Sequence, residues 1–140
     1  MSGPIVELDC EAMHAVDIAT DLVEAFSAGD LDRMRELLAP ELVAWVTNAD
    51  GEADRITGRD EYLSRIAAMD LPGARYRVTL TQSPGAIDEH LVLLMVEVRA
   101  ERDGRRLHNF AAHVLRVDEG RVTEWRMADA KPAESDQFWS

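Results

Sequence analysis

The chain has 140 residues, 46% hydrophobic and 30% charged, with a formal net charge of −12. That length predicts one domain, 1–140, able to bury a proper core without staples. The acidic balance argues against nucleic-acid and anionic-membrane partners, which are held by Lys and Arg; it predicts a well-solvated surface and names no substrate.

Residues 1–8 read as a loose tail. They lack a basic region followed by an apolar run, and no stretch approaches about 18 apolar residues, so a cytoplasmic location is expected. The single cysteine, Cys10, allows no internal disulfide and no cysteine metal cluster. Its neighbours Leu8, Asp9 and Glu11 are apolar or acidic and would raise a thiol pKa, which argues against a nucleophile.

From Asp9 to Ala28, Ala12, Ala15, Ile18, Ala19, Leu22, Ala25 and Phe26 recur at helical spacing, and Gly29 is a fitting stop. Asp30 can cap a short helix, Leu31 to Leu38, which Pro40 closes. Glu41 to Thr47 predicts a strand, Asn48 to Gly51 a turn, and Ile56 lies on the returning strand. A third helix spans Arg59 to Met69, with Tyr62, Ile66 and Met69 on one stripe, and Leu71-Pro72-Gly73 ends it.

The remainder is strand-like. Ala74 to Gln82 alternates, and Ser83-Pro84-Gly85 breaks it. Leu91 to Glu101 is apolar on both parities through Val96, which predicts cover on both faces, by helices on one side and a partner subunit on the other. Asp103-Gly104 is a hairpin turn within a charged, solvated tip that includes Arg99 and Arg106. Leu107 to Val117 and Arg121 to Asp129 follow. Lys131 to Ser140 is a polar tail whose Phe138-Trp139 is expected to dock. Helices first and an antiparallel meander after predict an α+β fold, three N-terminal helices packed on a highly curved sheet around a pocket.

No Gly-rich phosphate loop, HExxH, GxSxG, CxxC or calcium loop is present, which argues against a P-loop enzyme, zincin, α/β-hydrolase or Rossmann enzyme. The hairpin Leu107 to Asp129, with a histidine in mid-strand and an acid at its end, is the best place to look for chemistry. With Arg116 facing solvent, Asn109, Ala111, His113, Leu115 and Val117 face inward. An inward histidine in an apolar wall suits general acid–base work, and a structural, hydrogen-bonded core histidine is the bland alternative. Asp129 shares a parity with Trp125 and Met127; an acid there would have a raised pKa and could move a proton, or simply cap nearby amides. Trp45, Tyr62, Trp125, Met127 and Asn109 are candidate substrate-binding residues of a largely aromatic wall. His14, His90 and His108 lack metal-ligand spacing, so neither a metal nor a cofactor is expected.

Several stretches carry a family resemblance. They are Phe26 to Asp30 with Leu37-Leu38, Gly58-Arg59-Asp60 before the third helix, and Val117 to Val122 between the last strands. Their order resembles the NTF2-like (cystatin-like) superfamily, which includes SnoaL-like polyketide cyclases and ketosteroid isomerases. His90 to Leu107, His113 to Trp125 and the terminal Asp136 to Ser140 are similar to a group of actinobacterial SnoaL-like proteins.

The resemblance implies a conical α+β barrel around a deep pocket, a homodimer formed through the sheet, and a cofactor-free isomerase, cyclase or hydrolase. The substrate would be an apolar, polyketide- or terpenoid-like small molecule; a non-catalytic binding or assembly module is the alternative. His113 falls where ketosteroid isomerases carry an oxyanion acid, making it a general base or oxyanion donor. The isomerases' general-base Asp would fall near Trp45 and their Tyr near Leu22, which argues against steroid chemistry. Asp129 lies close to the proton-transferring acid of SnoaL-type cyclases. Met127 falls where a limonene-epoxide-hydrolase-like member needs an Asp.

Overall fold

The computed structural model describes residues 10–140, so the expected tail at 1–8 and the Cys10 side chain lie outside the described part. Helix α1 (Cys10–Ala28) buries Ala15, Ala19, Leu22 and Phe26 on one stripe. It ends on Gly29, whose φ of 68° belongs to the left-handed region. Gly29 N donates to Phe26 O at 3.1 Å and Asp30 N to Ala25 O at 2.9 Å, which satisfies the last carbonyls. A Cβ at Gly29 would stand 3.0 Å from Pro72, so a side chain is disfavoured by contact as well as by conformation. Asp30 then accepts from Arg33 N at 3.1 Å and caps α2 (Leu31–Leu37).

Strand β1 (Leu38–Thr47) begins before Pro40, not after it as expected. Proline is tolerated because the pairing of β1 with the last strand is irregular between Leu38 and Val43, where no ladder N–H is required. β2 (Ala53–Thr57) returns antiparallel, and α3 (Arg59–Met69) has the expected bounds. β3 (Arg77–Leu80) is shorter than the alternation predicted. Ala74 N is drawn back to Asp70 O and Leu71 O, and Arg75 takes a φ of 49°, so both stay in the turn. The expected break at Gly85 holds a two-residue strand, β4 (Gly85–Ala86).

β5 (Leu91–Arg102), β6 (Arg105–Asp118) and β7 (Arg121–Asp129) form the long meander. The sheet runs β2-β1-β7-β6-β5-β3, with β4 on β5; the β1–β7 pairing is parallel and the others are antiparallel. The tail folds into a fourth helix, α4 (Pro132–Trp139), where three helices and a polar tail were expected. Pro132 suits a first helical position, because its missing N–H has no helical acceptor there.

On β5, Val92, Leu94, Val96 and Val98 are buried, whereas Leu91, Leu93 and Met95 on the other face are only half-buried. On β6, Leu107, Asn109, Ala111, His113, Leu115 and Val117 are buried, the inward parity anticipated. A continuous core joins these residues to α1, α2 and α3. The result is an α+β cone, and its open end holds a cavity. No described helix is long and apolar enough to cross a membrane.

Candidate active site

The cavity has a volume of about 290 Å3. Its floor is the inner face of β6 and β7, and its sides come from α1, α3, the β1–β2 hairpin and α4. Register places the chemistry. Ala111 pairs with Asp129 and His113 with Met127, so His113 and Asp129 are diagonal neighbours on one face. Such neighbours lie about 7–8 Å apart. Both line the cavity, as do Asn109, Tyr62 and Met127.

His113 is 4% exposed, and its Nδ1 accepts a 2.8 Å hydrogen bond from the Trp125 indole N–H. Burial lowers its pKa from 6.5 to about 4. The ring is therefore neutral, with its proton on Nε2. A ring whose Nδ1 is occupied and whose pKa is this low is a weak base and a good neutral donor.

Asp129 presents the complementary group. Its backbone N–H is taken up by the Thr47 hydroxyl at 3.1 Å, and its carboxylate has no hydrogen-bond partner among the described residues. Burial raises its pKa. Tyr62 and Tyr76 stand near it. Burial pushes both hydroxyls up, and the neighbouring Asp129 charge pushes them further. Two protonated phenols thus face one desolvated carboxylate.

Asn109 is 2% exposed. Its Oδ1 accepts from Phe110 N and Lys131 N, each at 2.9 Å, which leaves its amide NH2 as the group it can offer to the cavity. The residue therefore has a scaffolding duty besides any contact with ligand.

Two of the expected wall residues are elsewhere. Trp125 is 1% exposed and lies behind the wall, with Phe26 at 5.5 Å, Tyr62 at 5.1 Å and its N–H spent on His113. It orients the imidazole and does not line the cavity. Trp45 is on the outer face of the sheet. Its β1 neighbours Ala44 and Val46 face inward, and parallel pairing sets Trp45 beside Arg126, whose guanidinium lies 3.7 Å from the ring centroid. The strand alternation that turns Ala44 in turns Trp45 out.

Three lining aromatics were not singled out as site residues: Phe26, Tyr76 and Trp139. Phe26 and Tyr76 lie 5.2 Å apart, and Tyr76 meets Trp139 edge-on at 5.9 Å. Tyr76 was read as one of several alternating strand residues. Its shared parity with the buried Val78 was the signal that could have placed it inward.

The SnoaL-like domain profile matches residues 19–125. The chain belongs to the SnoaL-like family, within the NTF2-like superfamily. Bal32a, from a soil-derived mobile gene cassette, is 22% identical over 93% of this chain and 99% of its own, with a TM-score of 0.81. A limonene-epoxide-hydrolase-like epoxide hydrolase from M. tuberculosis is 23% identical over 84% and 83%, with a TM-score of 0.70. IdmH, a candidate polyketide cyclase from Streptomyces antibioticus, is 23% identical over 90% and 99%, with a TM-score of 0.68. These likenesses show the shared cystatin-like fold. No curated relative matches the sequence.

The remaining histidines of this SnoaL-like chain lie away from the cavity. His108 Nε2 is 2.6 Å from Glu97 on the outer face, and His90 Nδ1 is 3.1 Å from Val117 O at the opposite end. Among the described residues no group of three His, Cys, Asp or Glu side chains is arranged to hold a metal ion.

Proposed function

We propose that this SnoaL-like protein is a cofactor-free isomerase or cyclase that moves a proton on an apolar, carbonyl-bearing small molecule of polyketide or terpenoid type. One observation carries the reading: an unpartnered, desolvated carboxylate, Asp129, on the same cavity face as a neutral imidazole N–H, His113. Desolvation makes Asp129 a stronger base than a solvated carboxylate, bringing its pKa nearer the operating pH. In this mechanism Asp129 takes the proton from a carbon next to the substrate carbonyl. The charge that develops on the carbonyl oxygen accepts a hydrogen bond from His113 Nε2–H. Asp129 then returns the proton to another carbon, which isomerises the substrate. Alternatively the enolate carbon attacks a second carbonyl, and the alkoxide so formed takes the proton, which closes a ring. Neither route consumes a co-reactant. Of the two roles available to His113, the donor role fits its occupied Nδ1 and low pKa, and the base role passes to Asp129.

A second reading, ligand binding without turnover, draws support from the Trp125–His113 bond, which would hold the ring just as well in a purely structural role. Deuterium exchange separates the two. Protein in D2O with a panel of bulky cyclic ketones should accelerate exchange of the α-protons, read by NMR. Asp129→Asn should remove at least 100-fold of that acceleration, within the usual range for a general base. Exchange that is unaffected by Asp129→Asn would sink the catalytic reading.

A further inference from the structure

The charges around the cavity are not balanced. Among the described residues three carboxylates line it, Asp54 on β2, Asp129 on β7 and Asp136 on α4, against one formal cation, Arg65 on α3. Arg65 is already engaged: its Nε lies 3.3 Å from Glu61 one turn away. The lining histidine is neutral. An anionic ligand would therefore meet an excess of like charge, and the chain's net charge of −12 extends the same preference into solution.

The inner face of α4 adds a second kind of group. Pro132, Ser135, Asp136 and Trp139 line the cavity at spacings of 3, 4 and 7 residues from Pro132, which is one helical stripe. Asp136 and Trp139 are three apart on that stripe, so a carboxylate and an indole sit side by side. Asp54 and Asp136 are exposed, which puts them at the mouth, while Asp129 lies deeper. Deeper still, the Tyr62 side chain, on a residue 3% exposed, lines the same cavity with a hydroxyl that has no hydrogen-bond partner among the described residues. That buried hydroxyl is a polar group still open to a ligand within the cavity. Arg102, which does not itself line the cavity, sets its guanidinium 5.6 Å from the Trp139 centroid and 5.7 Å from that of Phe138, so this aromatic corner already takes a cation.

We infer that the ligand carries a protonated nitrogen on an otherwise apolar body, with Asp136, Asp54 and the Trp139 ring receiving the ammonium at the mouth. A carboxylate beside an aromatic ring is the environment that suits an organic ammonium, which gains Coulomb attraction from one and cation–π attraction from the other. The apolar body then reaches down past Tyr76 and Phe26 toward Asp129 and His113. The inference rests on the cavity being a small-molecule site and goes further by assigning that molecule a charge. It also makes Asp54, Asp136 and Trp139 specificity-determining residues separate from the proton-transfer pair.

The test uses the full chain and three single-ring probes, benzylammonium, benzyl alcohol and phenylacetate, followed by calorimetry at neutral pH and low ionic strength. The ammonium should bind at least tenfold more tightly than phenylacetate and measurably more tightly than the alcohol. The Asp54→Asn/Asp136→Asn variant, with both changes at exposed sites, should lose roughly three- to tenfold in ammonium affinity and leave the alcohol unchanged. Trp139→Leu, checked for intact folding by circular dichroism, should weaken the ammonium more than the alcohol. Equal binding of ammonium and alcohol overturns the charge assignment while leaving the small-molecule pocket standing. An unaltered ammonium preference in the double variant overturns the roles of Asp54 and Asp136. Failure of all three probes to bind overturns this inference together with the reading of the cavity as a ligand site.

Discussion

At the scale of single residues, the pair Trp125–His113 is where burial decides chemistry. The indole N–H satisfies Nδ1 at 2.8 Å and so assigns the tautomer. Trp125→Phe keeps most of the ring volume but orphans that nitrogen. It should cost about 1–3 kcal/mol of stability, from the unsatisfied acceptor, and shift the pH profile of any turnover, because the imidazole is then free to exchange tautomers. The low His113 pKa also has a thermodynamic consequence. The folded state prefers the neutral ring down to about pH 4, whereas the unfolded chain takes up a proton near 6.5. Stability from this group is complete above about pH 6.5 and is lost as pH falls toward 4, by about 3 kcal/mol in total. Urea titrations of the wild type and of His113→Gln at pH 4.5 and 7 check this: the variant's stability should depend less steeply on pH. Equal slopes would mean that the ring does not carry this linkage.

Asp129 has the opposite sign. Its folded pKa is raised, so the native state favours the protonated form, and a charged Asp129 is a cost that grows as pH rises through that region. Asp129→Asn should therefore raise Tm at neutral pH while abolishing proton transfer. Such a gain in stability on removing a functional group is the signature of a residue kept for its chemistry. The inward parity of His113 and Asn109 was legible from strand alternation, with Arg116 as the outward reference. For Asp129 alternation gave only a shared parity with Trp125 and Met127, and the register with β6 puts it on the same face. The exclusion of Trp45 was not. It depends on which parity of β1 faces the cone, and an apolar strand with Val, Ala and Trp on successive positions does not say.

At the scale of elements, α4 is the informative case. Eight residues form no stable helix alone, so tertiary contacts hold it. Phe138 is 4% exposed, Arg102 donates to Phe138 O at 3.2 Å, Arg105 to Gln137 O at 3.3 Å, and Asn109 receives Lys131 N at the other end. The charged tip read as a solvated turn thus has a structural use, and its arginines meet carbonyls at the helix C-terminus, where cations are favoured. Phe138→Ala should cost about 3–5 kcal/mol if the site cannot collapse, measured by chemical denaturation. A loss below about 1 kcal/mol would show α4 to be a loosely held cover. The docking of Phe138-Trp139 was foreseeable from two large aromatics in a polar segment. The helix itself was not, because its three-, four- and seven-residue stripe mixes Pro, Ser, Asp and Trp and gives no apolar period.

At the scale of the whole molecule, the outer face of the sheet is half apolar. Leu93, Met95, Ala112 and Val114 are only half-buried there, Phe110 is 39% exposed, and the Trp45–Arg126 stack lies farther across the same face. We propose that a second copy covers this face, which the helices leave open, as the homodimer expected from the family resemblance would. Light scattering after gel filtration should give twice the chain mass, and Val114→Glu should halve it. A monomeric wild type would remove the proposal.

Read alone, the sequence determined the order of the first three helices and the long strands, the inward face of β6 and the acidic surface, which follow from local periodicity, turn residues and composition, while the family showed in the order of its motifs. The tertiary structure alone decided which aromatics form the wall, which nitrogen of His113 holds the proton, and how Asp54, Asp129 and Asp136 come to share one cavity. Those properties depend on strand register and on contacts between segments more than eighty residues apart, such as Thr47 with Asp129. No local pattern in the chain records them.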